Sequence, residues 1–403
     1  MAQALDDLAA AGVSVWLDDL SRPRILTGSL ARMVNRGEIV GITTNPTIFA
    51  KAIGARSGYE EQLRDLALRG TAIGETLRLL TAWDVRAACD ILRPVYDRSA
   101  SRDGRVSIEV DPRISGDANR TAAEARGLWW LVDRPNLFIK IPATVAGLSA
   151  ITASIADGIS VNVTLIFSLD RYRAVLDAFL TGLEQRQTAG GTLAGIESVA
   201  SCFISRVDSE VDRQLGQIAA QPSNADRASD IDQLRGQAAL ANARLAYEIY
   251  EQMLVSDRWK ALAAAGARPQ RLLWASTGVK DKAFSDTRYV TDLVASDTVN
   301  TMPEATLVAV ADHGVMIRYD AVRGSYAAAR DTLEALKRVG VDIGEVANTL
   351  EEQGIASFAE SWDELTHTEE AMGAPPEVKD LEKAIARVTD PHGQNWRALS
   401  RHL

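Results

Sequence analysis

The chain has 403 residues, of which 46% are hydrophobic and 24% are charged, a composition typical of a globular protein. Its 44 lysine and arginine residues against 54 aspartate and glutamate residues give a net charge of −10. This balance argues against nucleic acid and anionic membranes as partners, because both favour basic protein surfaces, but a local basic pocket could still hold a small anionic substrate.

Eight short apolar runs, each typical of a buried parallel strand, alternate along the chain with segments of helical periodicity. The runs are Val13–Leu17, Ile39–Ile42, Val106–Val110, Leu137–Ile141, Ile159–Val163, Ile196–Phe203, Arg271–Ala275 and Thr306–Val310. Leu169–Gln185 and Leu240–Leu254 are examples of the helical segments. Strands separated by helices form right-handed βαβ units and a parallel sheet. Eight such units predict an α/β fold, a closed (β/α)8 TIM barrel, with an open doubly wound sheet as the alternative.

Residues 1–403 are predicted to form one barrel domain, since an α/β barrel of ~250 residues can carry additional helices. The extra length falls in helical insertions near 51–104 and 210–267 and in a helical C-terminal tail near 312–403. The patterns in the tail are Ala327–Arg338, Glu345–Gln353 and Lys379–Arg387. The tail could cover the barrel or form a dimer interface, so the sequence is compatible with a monomer or a homodimer.

Several classes of site lack sequence support. There is no H-E-x-x-H or C-x-x-C motif and no phosphate-binding or dinucleotide-binding glycine motif, so we expect no metal and no organic cofactor. No apolar run reaches the ~18 residues that a membrane helix needs, and the N-terminal residues resemble no secretory signal. Two distant cysteines, Cys89 and Cys202, favour a reducing cytoplasm over a disulfide framework.

Polar residues close most of the predicted strands, and the carboxyl ends of barrel strands are where chemistry is found. The candidate site residues are Asp18, Thr43, Asn45, Glu109, Lys140, Asn162, Thr164, Ser201, Phe203, Arg206, Ser276 and Lys280. Taken singly, many of them have ordinary structural explanations. Asn45 precedes Pro46 and could simply form an Asx turn, and Arg206 and Lys280 could be surface charges of helices.

Lys140 is the most informative of these residues, because it stands among apolar neighbours in Leu137–Pro142 (LFIKIP). A parallel barrel strand is buried on both faces, so the ammonium should be largely desolvated. Burial favours the neutral amine, which is the form that attacks a carbonyl to make a Schiff base. The alternative is a structural lysine paired with Glu109. Likewise, Glu109 and Asp18 are either acid–base groups or partners in ion pairs at the barrel mouth.

Four motifs, in order along strands two to five, resemble the signatures of the transaldolase family. They are Gly41–Phe49 (GITTNPTIF), Val106–Arg113 (VSIEVDPR), Asn136–Thr144 (NLFIKIPAT) and Val161–Ser168 (VNVTLIFS). The weaker Ser201–Arg206 (SCFISR) extends the match, and the overall length resembles the longer bacterial form of the family. The resemblance covers most of the chain from Val13 to about Leu307.

The resemblance implies a class I aldolase barrel that moves a dihydroxyacetone unit between phosphorylated ketose and aldose sugars in the non-oxidative pentose phosphate pathway. It implies that Lys140 forms the Schiff base, that Glu109 works through a bound water, and that Asp18 exchanges the proton of the hydroxyl beside the cleaved bond. The residues matching those that hold the dihydroxyacetone hydroxyls are Asn45, Asn162, Thr43 and Thr164. Those matching the phosphate end are Ser201, Arg206 and the lining residue Phe203.

One position departs from the family pattern. Many relatives have an arginine shortly after Ala-Ser at the end of strand seven, whereas this chain has Ala275-Ser276-Thr277-Gly278-Val279-Lys280. We expect Lys280 to supply the charge and Ser276 a hydrogen bond, although lysine binds phosphate as a point charge rather than as a bidentate fork. Two other functions remain open: a related aldolase that releases the three-carbon unit, and a catalytically silent sugar-phosphate-binding barrel.

Overall fold

Eight parallel strands close into a barrel in the computed structural model, which describes residues 3–315 and 318–372. Each strand pairs with its neighbours in chain order, and the eighth pairs back with the first over five residues. The strands are β1 Val13–Leu17, β2 Gly41–Ile42, β3 Arg105–Glu109, β4 Leu137–Pro142, β5 Val161–Ile166, β6 Ser198–Phe203, β7 Arg271–Ala275 and β8 Thr298–Met302. The predicted (β/α)8 TIM barrel is therefore confirmed, and the open sheet is excluded.

Helices connect the strands and cover the outside of the barrel. Those that precede β5 are α1 Gln3–Ala10, α2 Arg22–Leu26, α3 Ser29–Asn35, α4 Pro46–Gly54, α5 Glu60–Leu68, α6 Ile73–Arg98, α7 Ala118–Val132 and α8 Val145–Ala156, with a 3₁₀ turn at Pro112–Ile114. Those from β5 to β8 are α9 Leu169–Thr188, α10 Ser205–Ala219, α11 Ala228–Asp232, α12 Ala238–Val255, α13 Asp257–Ala264 and α14 Arg288–Thr291, with a 3₁₀ turn at Pro222–Arg227. After β8 come α15 Glu304–His313, α16 Tyr326–Val339 and α17 Ile343–Met372.

The eighth strand was predicted in the wrong place. Thr306–Val310 belongs to helix α15, and the strand is Thr298–Met302 instead. A short apolar run does not distinguish a buried helix from a buried strand, and Pro303 followed by Glu304 is a helix-start signal that favours α15. The true strand is polar in sequence, but its side chains are buried and most of their polar atoms have partners: Thr298, for example, donates to the carbonyl of Ala295 at 2.7 Å, whereas Oδ1 of Asn300 has no partner among the described residues.

The predicted helical segments outside the basic barrel repeat are present where the structure describes them. Helices α5 and α6 fill the segment between β2 and β3, and α10–α13 fill the one between β6 and β7. In the tail, Glu345–Gln353 lies inside α17, whereas Lys379–Arg387 is outside the described residues. Across residues 3–315 and 318–372, no helix is both long enough and apolar enough to cross a membrane.

Strand β2 is only two residues long, and a glycine allows it to fit. A Cβ atom on Gly41 would lie 2.5 Å from Cε2 of Trp16, a fully buried side chain on β1. The backbone of β2 can therefore pair with β1 at Trp16–Gly41 and Leu17–Ile42 only if position 41 has no side chain. This close approach fixes the start of the segment that carries Thr43 and Asn45.

Replacing Gly41 should consequently destabilise the barrel. We expect Gly41→Ala to lower the free energy of unfolding by about 1–3 kcal/mol, because the added methyl overpacks against Trp16. The measurement is the urea unfolding midpoint. Gly74→Ala is the matched control, since a Cβ there meets nothing within 4 Å. Equal midpoints for Gly41→Ala and the parent chain would contradict this account of β2.

Candidate active site

Three polar residues lie side by side on neighbouring strands inside the barrel. In the strand register Glu109 pairs with Lys140, and Lys140 pairs with Asn162. All three side chains are buried. The parallel pairing of β3, β4 and β5 thus places a carboxylate, an amine and an amide in one row, as the strand-end pattern of the sequence predicts.

Lys140 is buried and charge-paired. Only 4% of the residue is exposed, and its Nζ lies 3.1 Å from Oε2 of Glu109. The same nitrogen donates a hydrogen bond of 3.0 Å to the carbonyl of Thr44. The predicted burial is confirmed, and so is the ion pair with Glu109 that the structural interpretation called for. The two interpretations are compatible, because a catalytic lysine also needs a partner while it is charged.

The Glu109 carboxylate is short of partners. Apart from the ion pair with Lys140, neither oxygen has a hydrogen-bond partner among the described residues, although both are buried. Burial raises the pKa of Glu109 above its ordinary value, while the nearby charge of Lys140 opposes that rise. A buried carboxyl group beside an amine is suited to take up a proton and pass it on, as general acid–base chemistry requires.

Asp18 follows β1 and lies in the same interior. Burial raises its pKa, and three charged or polar neighbours act against that rise: Lys140 and Arg206 through their charges, and Thr43 through a hydrogen bond. The Thr43 hydroxyl is 2.7 Å from Oδ1 of Asp18 and 2.6 Å from the Thr301 hydroxyl. Thr43 therefore orients the Asp18 carboxylate and favours its charged form.

The two candidate asparagines are held differently. Asn162 donates to the Ser107 hydroxyl at 3.0 Å and accepts from Ser201 at 2.7 Å, so its amide is fixed by hydrogen bonds on both sides. Asn45 caps helix α4, its Oδ1 accepting from the amide of Ile48 at 2.9 Å. The expected local turn is therefore present. It occupies the amide oxygen, and the Asn45 amino group makes no hydrogen bond within the described part of the chain.

A cavity of about 280 Å³ opens at the carboxyl ends of the strands and gathers most of the predicted residues. Those that line it are Asp18, Thr43, Asn45, Lys140, Thr164, Ser201, Phe203, Arg206, Ser276 and Lys280. Glu109 and Asn162 are not in its wall, but Glu109 contacts Lys140 and Asn162 contacts Ser201. Glu109 lines a second cavity of about 570 Å³ instead. The buried hydroxyl of Thr164 has no hydrogen-bond partner among the described residues, which makes it a candidate to bind a ligand.

One side of this cavity is basic. Arg206 lies in the first turn of α10, just after β6, and its guanidinium lies 5.5 Å from the centre of the Phe203 ring. Burial lowers the pKa of Arg206, whereas Asp18 acts to raise it. Lys280 follows β7, close to Ser276, whose hydroxyl is 3.0 Å from that of Ser205. The arrangement suits an anionic substrate group.

Several lining residues were not predicted from the sequence, among them Lys51 and Phe358. Lys51 lies on α4 one turn beyond Thr47, which also lines the cavity, so the helical spacing from Asn45-Pro46 could have revealed it. Phe358 comes from α17, and no local signal in the sequence connects it with a lysine on β4. Among the described residues, no cluster of three His, Cys, Asp or Glu side chains is arranged to hold a metal ion.

Comparisons with known proteins agree with the geometry. The sequence model of the transaldolase/fructose-6-phosphate aldolase family matches residues 15–369. A transaldolase of Thermobifida fusca (strain YX) is 60% identical over 365 residues, covering 91% of this chain and 97% of that protein. Transaldolase 1 of Streptomyces coelicolor is 60% identical over 364 residues, covering 90% and 93%. This chain belongs to the transaldolase/fructose-6-phosphate aldolase family.

Proposed function

We propose that the chain is a transaldolase of the non-oxidative pentose phosphate pathway. It transfers a dihydroxyacetone unit from sedoheptulose 7-phosphate to glyceraldehyde 3-phosphate, giving erythrose 4-phosphate and fructose 6-phosphate. The observation that carries the proposal is a buried amine, Lys140, 3.1 Å from the buried carboxyl of Glu109 and in the wall of a cavity that also presents Asp18. Family membership supports the same reaction class, a transfer of an aldehyde or ketone residue.

The first stage joins the sugar to the protein. The neutral amine of Lys140 attacks the ketose carbonyl and forms a carbinolamine. Glu109, whose pKa burial raises, then delivers a proton through water to the carbinolamine hydroxyl, which departs as water. The product is an iminium ion on Lys140, and its positive charge makes it an electron sink.

The second stage breaks and remakes a carbon–carbon bond. The Asp18 carboxylate removes the proton of the hydroxyl beside that bond, the bond electrons flow into the iminium, and the aldose leaves. A three-carbon enamine stays on Lys140. The acceptor aldose then enters, the enamine attacks its carbonyl, and Asp18 returns the proton. Water adds to the iminium that results, the carbon–nitrogen bond breaks, and the new ketose leaves as the Lys140 amine is restored. No step calls for a metal or an organic cofactor.

The remaining residues hold the substrate. The amides and hydroxyls proposed to bind the three-carbon unit are Asn45, Asn162, Thr43 and Thr164. Arg206, Lys280, Ser276 and Ser201 form the proposed phosphate end, with Phe203 as a lining residue. Binding at the phosphate supplies energy that orients the reacting carbons without taking part in the chemistry.

A second candidate is favoured by the family description, which also names fructose-6-phosphate aldolase. Such a lyase uses the same Schiff base but releases free dihydroxyacetone. Measuring that release without an acceptor separates the two activities. A silent sugar-binding barrel has less support, because it would not need a buried amine paired with a carboxyl group that has no other partner among the described residues. The proposal also includes a cytoplasmic location, supported by two buried free cysteines, and a monomer or homodimer of one barrel domain.

Borohydride trapping tests the role of Lys140. Added with fructose 6-phosphate, borohydride should reduce the iminium and leave a three-carbon adduct on the peptide that contains Lys140, as detected by mass spectrometry. Lys140→Ala should abolish both the adduct and transfer measured by a coupled assay. Trapping and full turnover in Lys140→Ala would refute the assignment.

The pH dependence of transfer tests the pair Asp18–Thr43. Asp18 must be charged to accept a proton, so activity should rise with pH through its pKa, which burial raises. Thr43→Val removes a hydrogen bond that favours the carboxylate, so the acid limb of the kcat profile should move to higher pH. Thr43→Ser keeps the hydroxyl and should leave the limb in place. A limb that stays put or moves to lower pH in Thr43→Val would argue against Asp18 as the base.

Substrate selectivity tests Lys280. Lys280→Ala should raise KM for phosphorylated sugars and leave KM for unphosphorylated dihydroxyacetone almost unchanged, because only the former carry the anionic group. Lys282→Ala, an exposed neighbour outside the cavity wall, is the matched control and should behave like the parent chain. An equal rise for both kinds of substrate would speak against a phosphate contact.

A further inference from the structure

Among the described residues, helix α17 contributes Phe358 alone to the cavity wall, and that residue faces Lys140. Every other lining residue belongs to residues 18–303, the strands of the barrel and their connections. Phe358 is 3% exposed, and the centre of its ring is 5.6 Å from Nζ of Lys140. The aromatic ring therefore covers the nitrogen that would carry the sugar.

The helix approaches the barrel closely at a glycine one turn before Phe358. A Cβ atom on Gly354 would lie 3.0 Å from Cδ2 of Leu165. Leu165 itself has φ of +60°, a conformation rarely adopted by residues other than glycine, and it directly follows the lining residue Thr164. The end of β5 and the helix are thus shaped to fit each other at the mouth of the cavity.

Polar contacts fix α17 to three separate connections of the barrel. Thr47, which follows β2, has its hydroxyl 2.8 Å from the hydroxyl of Ser361 on α17. After β3, a guanidinium nitrogen of Arg113 is 3.1 Å from the carboxylate of Asp363. Beyond β5, a guanidinium nitrogen of Arg171 lies 3.1 Å from a carboxylate oxygen of Glu351. Attachment at three points on the rim makes α17 a fixed cover rather than a passing contact.

We propose that Phe358 shields the three-carbon enamine on Lys140 from bulk water, a proposal that rests on the proposed Schiff-base function. This shielding favours transfer of the three-carbon unit to an acceptor over its release as dihydroxyacetone. Release needs two reactions with solvent. A proton from water first adds to the nucleophilic carbon of the enamine and regenerates an iminium. A water molecule then adds to the iminium carbon, the carbon–nitrogen bond breaks, and dihydroxyacetone leaves as the Lys140 amine is restored. An apolar ring over the nitrogen hinders both reactions.

The test compares two rates in the full-length protein. One is the release of dihydroxyacetone from fructose 6-phosphate without an acceptor, and the other is transfer to an added aldose phosphate. In Phe358→Ala the ratio of release to transfer should rise by roughly tenfold, which corresponds to about 1.4 kcal/mol between the two competing barriers. Phe358→Leu keeps part of the apolar cover, so its ratio should lie between those of the parent and Phe358→Ala.

Leu350→Ala is the matched control, because Leu350 is buried on α17 but does not line the cavity. The ratio of release to transfer in Leu350→Ala should equal that of the parent chain. A rise like that of Phe358→Ala would mean that any loosening of α17 is enough to increase release, and it would overturn the specific role of Phe358. An unchanged ratio in Phe358→Ala would also overturn it, as would an unchanged ratio in Phe358→Leu if the alanine variant does not fold. Borohydride trapping in the parent chain distinguishes a failure of the Phe358 proposal from a failure of the proposed function. If no adduct were trapped in the parent chain, the proposed function itself would be refuted.

Discussion

The buried ion pair between Lys140 and Glu109 is the constraint around which the site is arranged. Removing two charges from water costs several kcal/mol for each, and their attraction repays this only in part. Neither oxygen of Glu109 has another partner within the described residues, so hydrogen bonding does not make up the difference. In other proteins, replacing a buried ion pair with well-packed aliphatic side chains is often neutral or stabilising. The pair is better explained by chemistry, because an amine beside a proton donor in a dry interior is what Schiff-base formation requires.

The strand register of the barrel, and not the conformation of loops, places Lys140 beside Glu109. Glu109, Lys140 and Asn162 occupy equivalent heights on three adjacent strands, and hydrogen bonds from Ser107 and Ser201 hold the amide. Groups fixed on strands need little reorganisation when a substrate arrives, which is the main source of electrostatic stabilisation in enzymes. Toward the outside the cavity becomes cationic at Arg206 and Lys280, in a chain whose net charge is −10. Local charge, and not overall charge, would then guide an anionic sugar.

The sequence predicted much of this arrangement because a lysine or an amide inside a run of apolar residues has few explanations. Lys140 and Asn162 stand out in this way, whereas the other candidate residues were predicted because they follow or end predicted strands. Seven of the eight strands lie where or close to where the apolar runs placed them. The eighth failed for the opposite reason: Thr298–Met302 is polar in sequence, and its hydroxyls are satisfied by contacts such as Thr301 with Thr43 that no local pattern reveals. Phe358 could not be predicted either, since its place above Lys140 depends on how a distant helix docks.

The docking of α17 also has a consequence for the order in which the protein becomes competent. Synthesis proceeds from the N-terminus and domains fold as the chain emerges, so all eight strands leave the ribosome before Ile343, where α17 begins. A nascent chain at that stage contains its lysine, its acids and its amides, but not yet Phe358. Under the proposed function, a barrel folded at that stage would cleave sugars and lose the three-carbon fragment to solvent. Transfer of the three-carbon unit between sugars without its loss would then be the last property that the protein acquires during synthesis.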